Sequence, residues 1–253
     1  MSSFSNRFVL AIIPARSGSK GVKDKNLAQI EGKTLLEWSI AAAKNSGKID
    51  SILVSTDSSE YAKIAEKAGA EVPFLRPAEI SSDKSTDYEF INHAINELRK
   101  NNKRPELIVH LRPTSPFRDP IIIDKAIEKF EEIKESHTSL RSIHEMSESA
   151  YKTFEVDENN ILMSLCSNSY EIDNSNSARQ KFPKTYNPNG YVDILSTNYI
   201  EKNGEIHGNR VYGFITAKIL EVDSQEDLEL LRYYSKLNKD IFNRVFGALH
   251  EQF

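Results

Sequence analysis

Phe8-Val-Leu-Ala-Ile-Ile-Pro-Ala-Arg-Ser-Gly-Ser-Lys-Gly-Val-Lys-Asp-Lys-Asn26 changes character at Pro14. Phe8–Ile13 is short, apolar and β-branched, the pattern of a strand buried on both faces. Pro14–Asn26 is rich in Gly, Ser and Lys and reads as a loop. A doubly buried strand implies a parallel sheet with helices on both sides. The sequence downstream supplies those helices. Thr34–Ser46 repeats Leu35, Leu36, Ile40 and Ala43 at helical spacing, with Gly47 just beyond. Ile52–Ser55 reads as a second strand, and Asp57 or Ser58 can cap the helix Glu60–Ala68 that Gly69 ends. Val72–Leu75 reads as a third short strand. Ser85–Lys100 follows as an amphipathic helix with Phe90, Ile91, Ala94, Ile95 and Leu98 on one face. Leu107–Leu111 is a fourth apolar strand, and Pro120–Lys134 a further helix.

This alternation predicts an α/β fold: a mostly parallel, Rossmann-like sheet flanked by helices. Ligands of such sheets bind beyond the carboxyl ends of the strands. Pro14–Asn26, Ser55-Thr-Asp57 and Arg112–Ser115 all fall there. From Ser136 the alternation loosens. Ser139–Ile143, Tyr151–Val156 and Ile161–Leu165 read as short strands of a meander, and Ser167–Ser177 as polar and turn-rich. Val192–Leu195 and Val211–Ile215 read as strands, and Ser224–Lys236 as a last helix. Residues 1–253 therefore read as a single domain in which 136–183 is an insertion. That insertion carries Tyr151, Phe154, Leu162, Met163 and Leu165. An isolated hairpin is marginal in water, so these side chains need a surface to lie against, and a homodimer interface is the expected one.

The 253 residues include 33 Lys+Arg and 37 Asp+Glu, a formal net charge of −4. That balance argues against non-specific nucleic-acid binding, which needs a basic field, though it permits a local basic pocket. The one cysteine, Cys166, excludes an internal disulfide or a thiolate metal cluster and suits a reducing compartment. It is expected to be buried or incidental rather than catalytic. No apolar run approaches the ~20 residues of a membrane span. Met1–Arg7 holds one basic residue and leads straight into the first strand, so no signal peptide is read and a cytoplasmic location is expected.

The first loop carries the chemistry. Gly18 and Gly21 let backbone N–H groups face a ligand, and Arg16, Lys20, Lys23 and Lys25 gather four cations, a combination suited to a polyphosphate. The loop lacks the Gly-Lys-Ser/Thr of a Walker A motif and the three-glycine spacing of a dinucleotide fingerprint. Ser17 and Ser19 have no base partner in the pattern, and no His or Cys spacing supports zinc. His110, inside a strand, reads as structural, and His207, in the Gly-rich turn Gly204–Gly208, takes no role.

Ile13-Pro-Ala-Arg-Ser-Gly-Ser-Lys-Gly21 with Lys25-Asn26 closely resembles the signature loop of the acylneuraminate (CMP-sialic acid) cytidylyltransferases. Val54-Ser-Thr-Asp57, Leu75-Arg-Pro-Ala-Glu79, Ser82-Asp83, Arg112-Pro-Thr-Ser-Pro116, Arg179-Gln180, Pro188-Asn-Gly190 and Glu221-Val-Asp223 follow in the family's order. The resemblance implies a nucleotidyltransferase fold and the coupling of CTP to an α-keto acid sugar, giving the CMP-sugar and pyrophosphate. It implies that Arg16 and Lys25 hold the triphosphate. Ala15, Gly18, Ser19, Lys20, Gly21 and Asn26 would complete the loop's nucleotide contacts, and Ser82 would help hold the nucleoside. It further implies Mg²⁺ at Asp223 and Glu221, a pair that a strand would present on one face. Arg179, Gln180 and Asn189 would meet the sugar acid, and the insertion would reach a partner's pocket.

Three positions depart from the family pattern. Glu221 stands where Asp is usual, and either binds metal through water or activates the sugar hydroxyl. Arg112 replaces a common Gln facing nucleotide or sugar, and could pair bidentately with a carboxylate or phosphate. Asp193 replaces a common aromatic and is expected to meet the sugar's hydroxyl or amide groups. The expected substrate is a nonulosonate such as N-acetylneuraminic or legionaminic acid. An octulosonate, another nucleotide, or a non-catalytic binding protein are the alternatives.

Overall fold

The structure, a computed structural model, describes residues 8–167 and 169–247. Met1–Arg7, on which the expectation about a signal peptide rests, lie outside the described residues, as does residue 168 of the turn-rich stretch. The strands are β1 (Val9–Pro14), β2 (Gln29–Ile30), β3 (Lys33–Thr34), β4 (Ser51–Ser55), β5 (Leu107–His110), β6 (Ser139–Glu145), β7 (Phe154–Val156), β8 (Leu162–Ser164), β9 (Tyr186–Ser196) and β10 (Val211–Ile215). The helices are α1 (Leu35–Lys44), α2 (Ser59–Ala68), α3 (Asp87–Lys100), α4 (Pro120–Ile133), α5 (Thr197–Asn203), α6 (Gln225–Leu237) and α7 (Lys239–Phe246).

A six-stranded sheet in the order β10-β6-β9-β5-β1-β4 forms the centre. β9 runs antiparallel to both its neighbours, while the β1–β4, β1–β5 and β6–β10 pairs are parallel. The uninterrupted apolar run of β1 has a direct cause. Val9, Ala11 and Ile13 enter one core, with α1, α2, α4 and α7, while Leu10 and Ile12 enter the other, with α3 and α5. Each fully buried Leu or Ile contributes ~1.5–3 kcal/mol. Thr34 and Thr86 cap α1 and α3, each in a reciprocal box with the Glu three residues on.

The sequence reading holds for β1, β4, β5 and the helices between them, to within a few residues at the ends. It fails at Val72–Leu75, where only Glu71 bridges to Leu53 at the sheet edge and Pro73 removes the next donor. It did not anticipate α5 or α7; α7 packs Phe242 and Phe246 edge-on against buried Trp38. The insertion also needs redrawing. Ser139–Glu145 joins the central sheet between β10 and β9, because Leu140 and Ser142 bury there. The part outside the central sheet begins only after β6. There β7 and β8 form an antiparallel hairpin with Phe154, Val156, Leu162 and Leu165 exposed, and Tyr151 stacks on Phe182. Cys166 lies in this part and is exposed, not buried.

Candidate active site

The loop after β1 is tied down residue by residue. Ala15 donates its N–H to the Ser55 carbonyl at 2.9 Å, extending the β1–β4 ladder by one rung. Ser17 donates both its N–H and its hydroxyl to Asp57, each at 2.7 Å. Asp57 is therefore a loop anchor, and Ser58 caps α2. Asp24, at φ 50, accepts from the Tyr61 hydroxyl at 3.0 Å, and Asn26 donates to the Arg16 carbonyl at 3.0 Å. Gly21 passes so close to the Asp223 carbonyl that a Cβ has no room. Lys25 Nζ donates to the Val222 carbonyl at 2.9 Å and to Asp223 Oδ1 at 3.0 Å. Arg16 and Lys20 both pair with Asp83. The hydrogen bond from Lys20, with help from Arg16, holds the Asp83 carboxyl below the usual carboxylate range.

These side chains surround a cavity of about 500 Å³. Arg16, Ser19, Lys20, Gly21, Lys25 and Asn26 form one wall; Ser82, Asp87, Phe90, Arg112 and Thr114 stand around the rest. Arg76 also lines it, and sequence reasoning gave that residue no role although it sits in a quoted motif. Its guanidinium donates to the Ser55 carbonyl at 2.6 Å and hydroxyl at 3.0 Å and lies 4.7 Å over the Phe90 ring. Burial pulls its pKa down to about 10, so it stays a cation at neutral pH.

Arg112 bridges two carboxylates, with Nη2 at 2.7 Å from Asp87 and Nη1 at 3.0 Å from Asp193. Asp193 is 1% exposed. The expectation that it meets the sugar is corrected here: its place in β9, between β5 and β6, puts it behind Arg112. Arg112 finds its carboxylates within its own chain. Arg118, which the sequence did not single out, is fully buried. It donates to the Tyr191 and Gly190 carbonyls at 2.5 and 2.8 Å, to Ser39 at 3.1 Å, and to the Arg112 carbonyl. Burial lowers its pKa to about 9. It thereby joins the loop after β5 to β9.

His110 is structural, as expected: fully buried, edge-on to Phe90, its Nδ1 3.9 Å from Asp193, too far for a hydrogen bond. Burial, followed by the Arg112 charge, pushes its pKa down to about 3. Below the ordinary histidine pKa of about 6.5 the unfolded chain takes up a proton that the folded chain refuses. Stability from this residue is complete above that pH and declines on acidification, by at most ~1.4 kcal/mol per pH unit. Urea unfolding at pH 7 and pH 5 is expected to show a smaller decline for His110→Asn than for the parent. Equal declines would place the acid sensitivity elsewhere.

The other candidates are dispersed. Gly18, at φ 69, turns the loop. Asn189 is buried, donating to the Thr216 hydroxyl at 2.6 Å. Arg179 pairs with Glu145 and, with Gln180, lines a separate hollow beside Lys184. Glu221 and Asp223 do not lie on a strand, because the chain from Thr216 to Ser224 is irregular. Glu221 Oε1 accepts from the Ser115 hydroxyl at 3.2 Å, close beside Gly190, whereas Asp223 is 78% exposed next to Lys25. Among the described residues no cluster of three or more His, Cys, Asp or Glu encloses a metal, and no helix is long and apolar enough to cross a membrane.

A cation-lined loop after the first strand of an open α/β sheet, in one cavity with Ser82, Asp87, Arg112 and Thr114, is suited to holding a nucleotide's phosphates. The chain belongs to the cytidylyltransferase family, whose profile matches residues 10–243. It is 30% identical over 250 residues to the N-acylneuraminate cytidylyltransferase of Escherichia coli, covering 96% of this chain and 57% of that protein. It is 29% identical over 233 residues to the pseudaminic acid cytidylyltransferase of Campylobacter jejuni, covering 91% of this chain and 97% of the relative. The solved structure of CMP:2-keto-3-deoxy-manno-octonic acid synthetase complexed with CTP shares the fold, with a TM-score of 0.65 at 14% identity, over 91% of this chain and 99% of that one.

Proposed function

We propose that this chain transfers CMP from CTP to a nonulosonate, releasing pyrophosphate. The observation that carries the reading is the single cavity that Arg16, Lys20, Lys25 and Arg112 all line. The sugar's anomeric hydroxyl gives up its proton to solvent and attacks the α-phosphorus, the bond from that phosphorus to the bridging oxygen breaks in line, and pyrophosphate departs carrying the electron pair. Arg16 and Lys25 neutralise the charge that grows on the leaving group, and Ser17, Asp57 and Asn26 hold the loop in place beforehand.

Mg²⁺ is part of this proposal. When bound it would neutralise triphosphate oxygens. Mg²⁺ keeps most of its waters and needs one or two carboxylates, which suits an exposed Asp223 at the loop with Glu221 two residues away. The two-fold dimer also belongs here. Its support is the exposed apolar set Phe154, Val156, Leu162 and Leu165, and a hollow at Arg179 that shares no lining residue with the loop cavity of the same chain. The reading places the reaction in the cytoplasm, where CTP is supplied.

The test is pyrophosphate release with CTP and a panel of N-acetylneuraminate, pseudaminate and a 3-deoxy-octulosonate, with product mass as readout. A CMP-nonulosonate is the expected product, at a rate with CTP far above that with GTP. Equal turnover with GTP would sink the cytidylyl assignment, and turnover of the octulosonate alone would move the substrate class. For the dimer, mixing Arg16→Ala chains with Arg179→Ala chains is expected to restore activity that neither has alone; a monomeric mass at full activity removes the shared site.

A further inference from the structure

We propose that the outer face of α6 docks against α6 of a second copy of this chain, the two helices antiparallel about a two-fold axis. This contact is separate from the one assigned above to the β7–β8 hairpin. A helix that only covers a core needs one apolar stripe. α6 carries two. Leu228 and Leu231 turn inward and are buried with Val22, Ile30 and Leu35. Leu230, Tyr233 and Leu237, spaced i, i+3, i+7, run along the other side and are 50%, 62% and 65% exposed. Tyr234, stacked on Phe117 and 39% exposed, widens this patch. Scattered apolar side chains on a surface need no explanation, but three along one seam mark a contact. The helix that bears them is fixed at its start, where Ser224 and Asp227 close a capping box.

The charges beside the seam decide the occupant. Glu229 and Lys236 are both exposed and stand seven residues apart, which puts them on one flank of the seam with opposite sign. A two-fold axis at Tyr233 that sets two α6 helices antiparallel turns this flank onto itself. Glu229 of each copy then meets Lys236 of the other, while Leu230 lies against Leu237. The helix is thus complementary to itself, and a helix with one sign of charge along its flank would be repelled at one end. Within its own chain Glu229 accepts from Arg232 at 2.7 Å and is still 60% exposed. A few side chains per copy make a small contact, so the association depends on concentration.

The experiment measures weight-average mass by sedimentation from about 1 to about 100 µM protein. The parent is expected to double its mass across this range, reaching a tetramer where the hairpin has already made a dimer. Leu230→Glu/Leu237→Glu should abolish the doubling and leave the urea midpoint unchanged, because both side chains stand in solvent. Glu229→Lys and Lys236→Glu should each weaken association roughly tenfold, since symmetry repeats the change. The exchange Glu229→Lys/Lys236→Glu should return it to within about threefold of the parent. Phe154→Glu/Leu162→Glu, which alters the hairpin instead, should keep the doubling. A parent of constant mass, doubling that survives in Leu230→Glu/Leu237→Glu, or an exchange variant no tighter than the single reversals would each overturn the contact. Loss of the doubling in the hairpin variant would overturn it too, by moving the association to the hairpin.

Discussion

Lys25→Ala is expected to lower kcat by roughly 10²–10³-fold, the scale of one electrostatic contact made to charge that develops in the transition state. The ammonium is placed for that task. It is held by the Val222 carbonyl and Asp223 Oδ1, so it enters the cavity wall with its flexible stem already ordered. Two losses combine in the variant: the cation itself, and the link between the first loop and the segment that carries Asp223. Stability should fall by no more than ~1 kcal/mol, because the ion pair is largely solvated on its Asp223 side. Arg16→Ala should lose activity on the same scale. Steady-state pyrophosphate release with saturating CTP measures the effect, and urea unfolding separates it from misfolding. A Lys25→Ala protein with near-parental turnover would show that the triphosphate lies elsewhere.

Asp223→Asn is expected to abolish turnover at micromolar Mg²⁺ and to regain part of it at millimolar Mg²⁺. The carboxylate projects into solvent beside the loop, so the substitution disturbs no core contact. A carboxamide offers an oxygen to a hard cation but no charge, which weakens metal affinity without changing shape. Direct titration with Mn²⁺ in the presence of CTP should show the same weakening apart from any rate. Glu221→Asp should matter less, since Glu221 is held by Ser115 rather than presented at the loop. Full activity of Asp223→Asn at micromolar Mg²⁺ would remove this residue from the metal site.

The β5-β1-β4 half of the sheet and the site loop are legible in the sequence because both are local signals. β1, β4 and β5 are apolar runs that feed two cores, and the loop's glycines and cations lie within thirteen consecutive residues. The rest was hidden by long-range causes. Arg118 looks like any surface arginine, and only the convergence of β9, α1 and the loop after β5 reveals the oxygens that surround it. The burial of Asp193 depends on β9 pairing with both β5 and β6, a register that alternation of side chains cannot specify. β6 was assigned to the protruding insertion because its partner β10 arrives more than sixty residues later. Glu221 and Asp223 were given a strand on spacing alone, where the chain instead follows an irregular path held by the Val222 amide on Thr114.

The carboxylates of Asp83 and Asp223 already sit on three of the first loop's cations, Arg16, Lys20 and Lys25. An arriving polyanion therefore performs an exchange of counter-charges, not a neutralisation of bare cations. Affinity then registers only the margin by which phosphate oxygens outbid two tethered acids. Because the departing acids are part of the chain, fewer dissolved anions are set free, and added salt competes less than the number of lysines and arginines suggests. The same exchange makes discharge easy: when the product leaves, the loop returns to partners that never diffused away, and its cations spend little time without a partner.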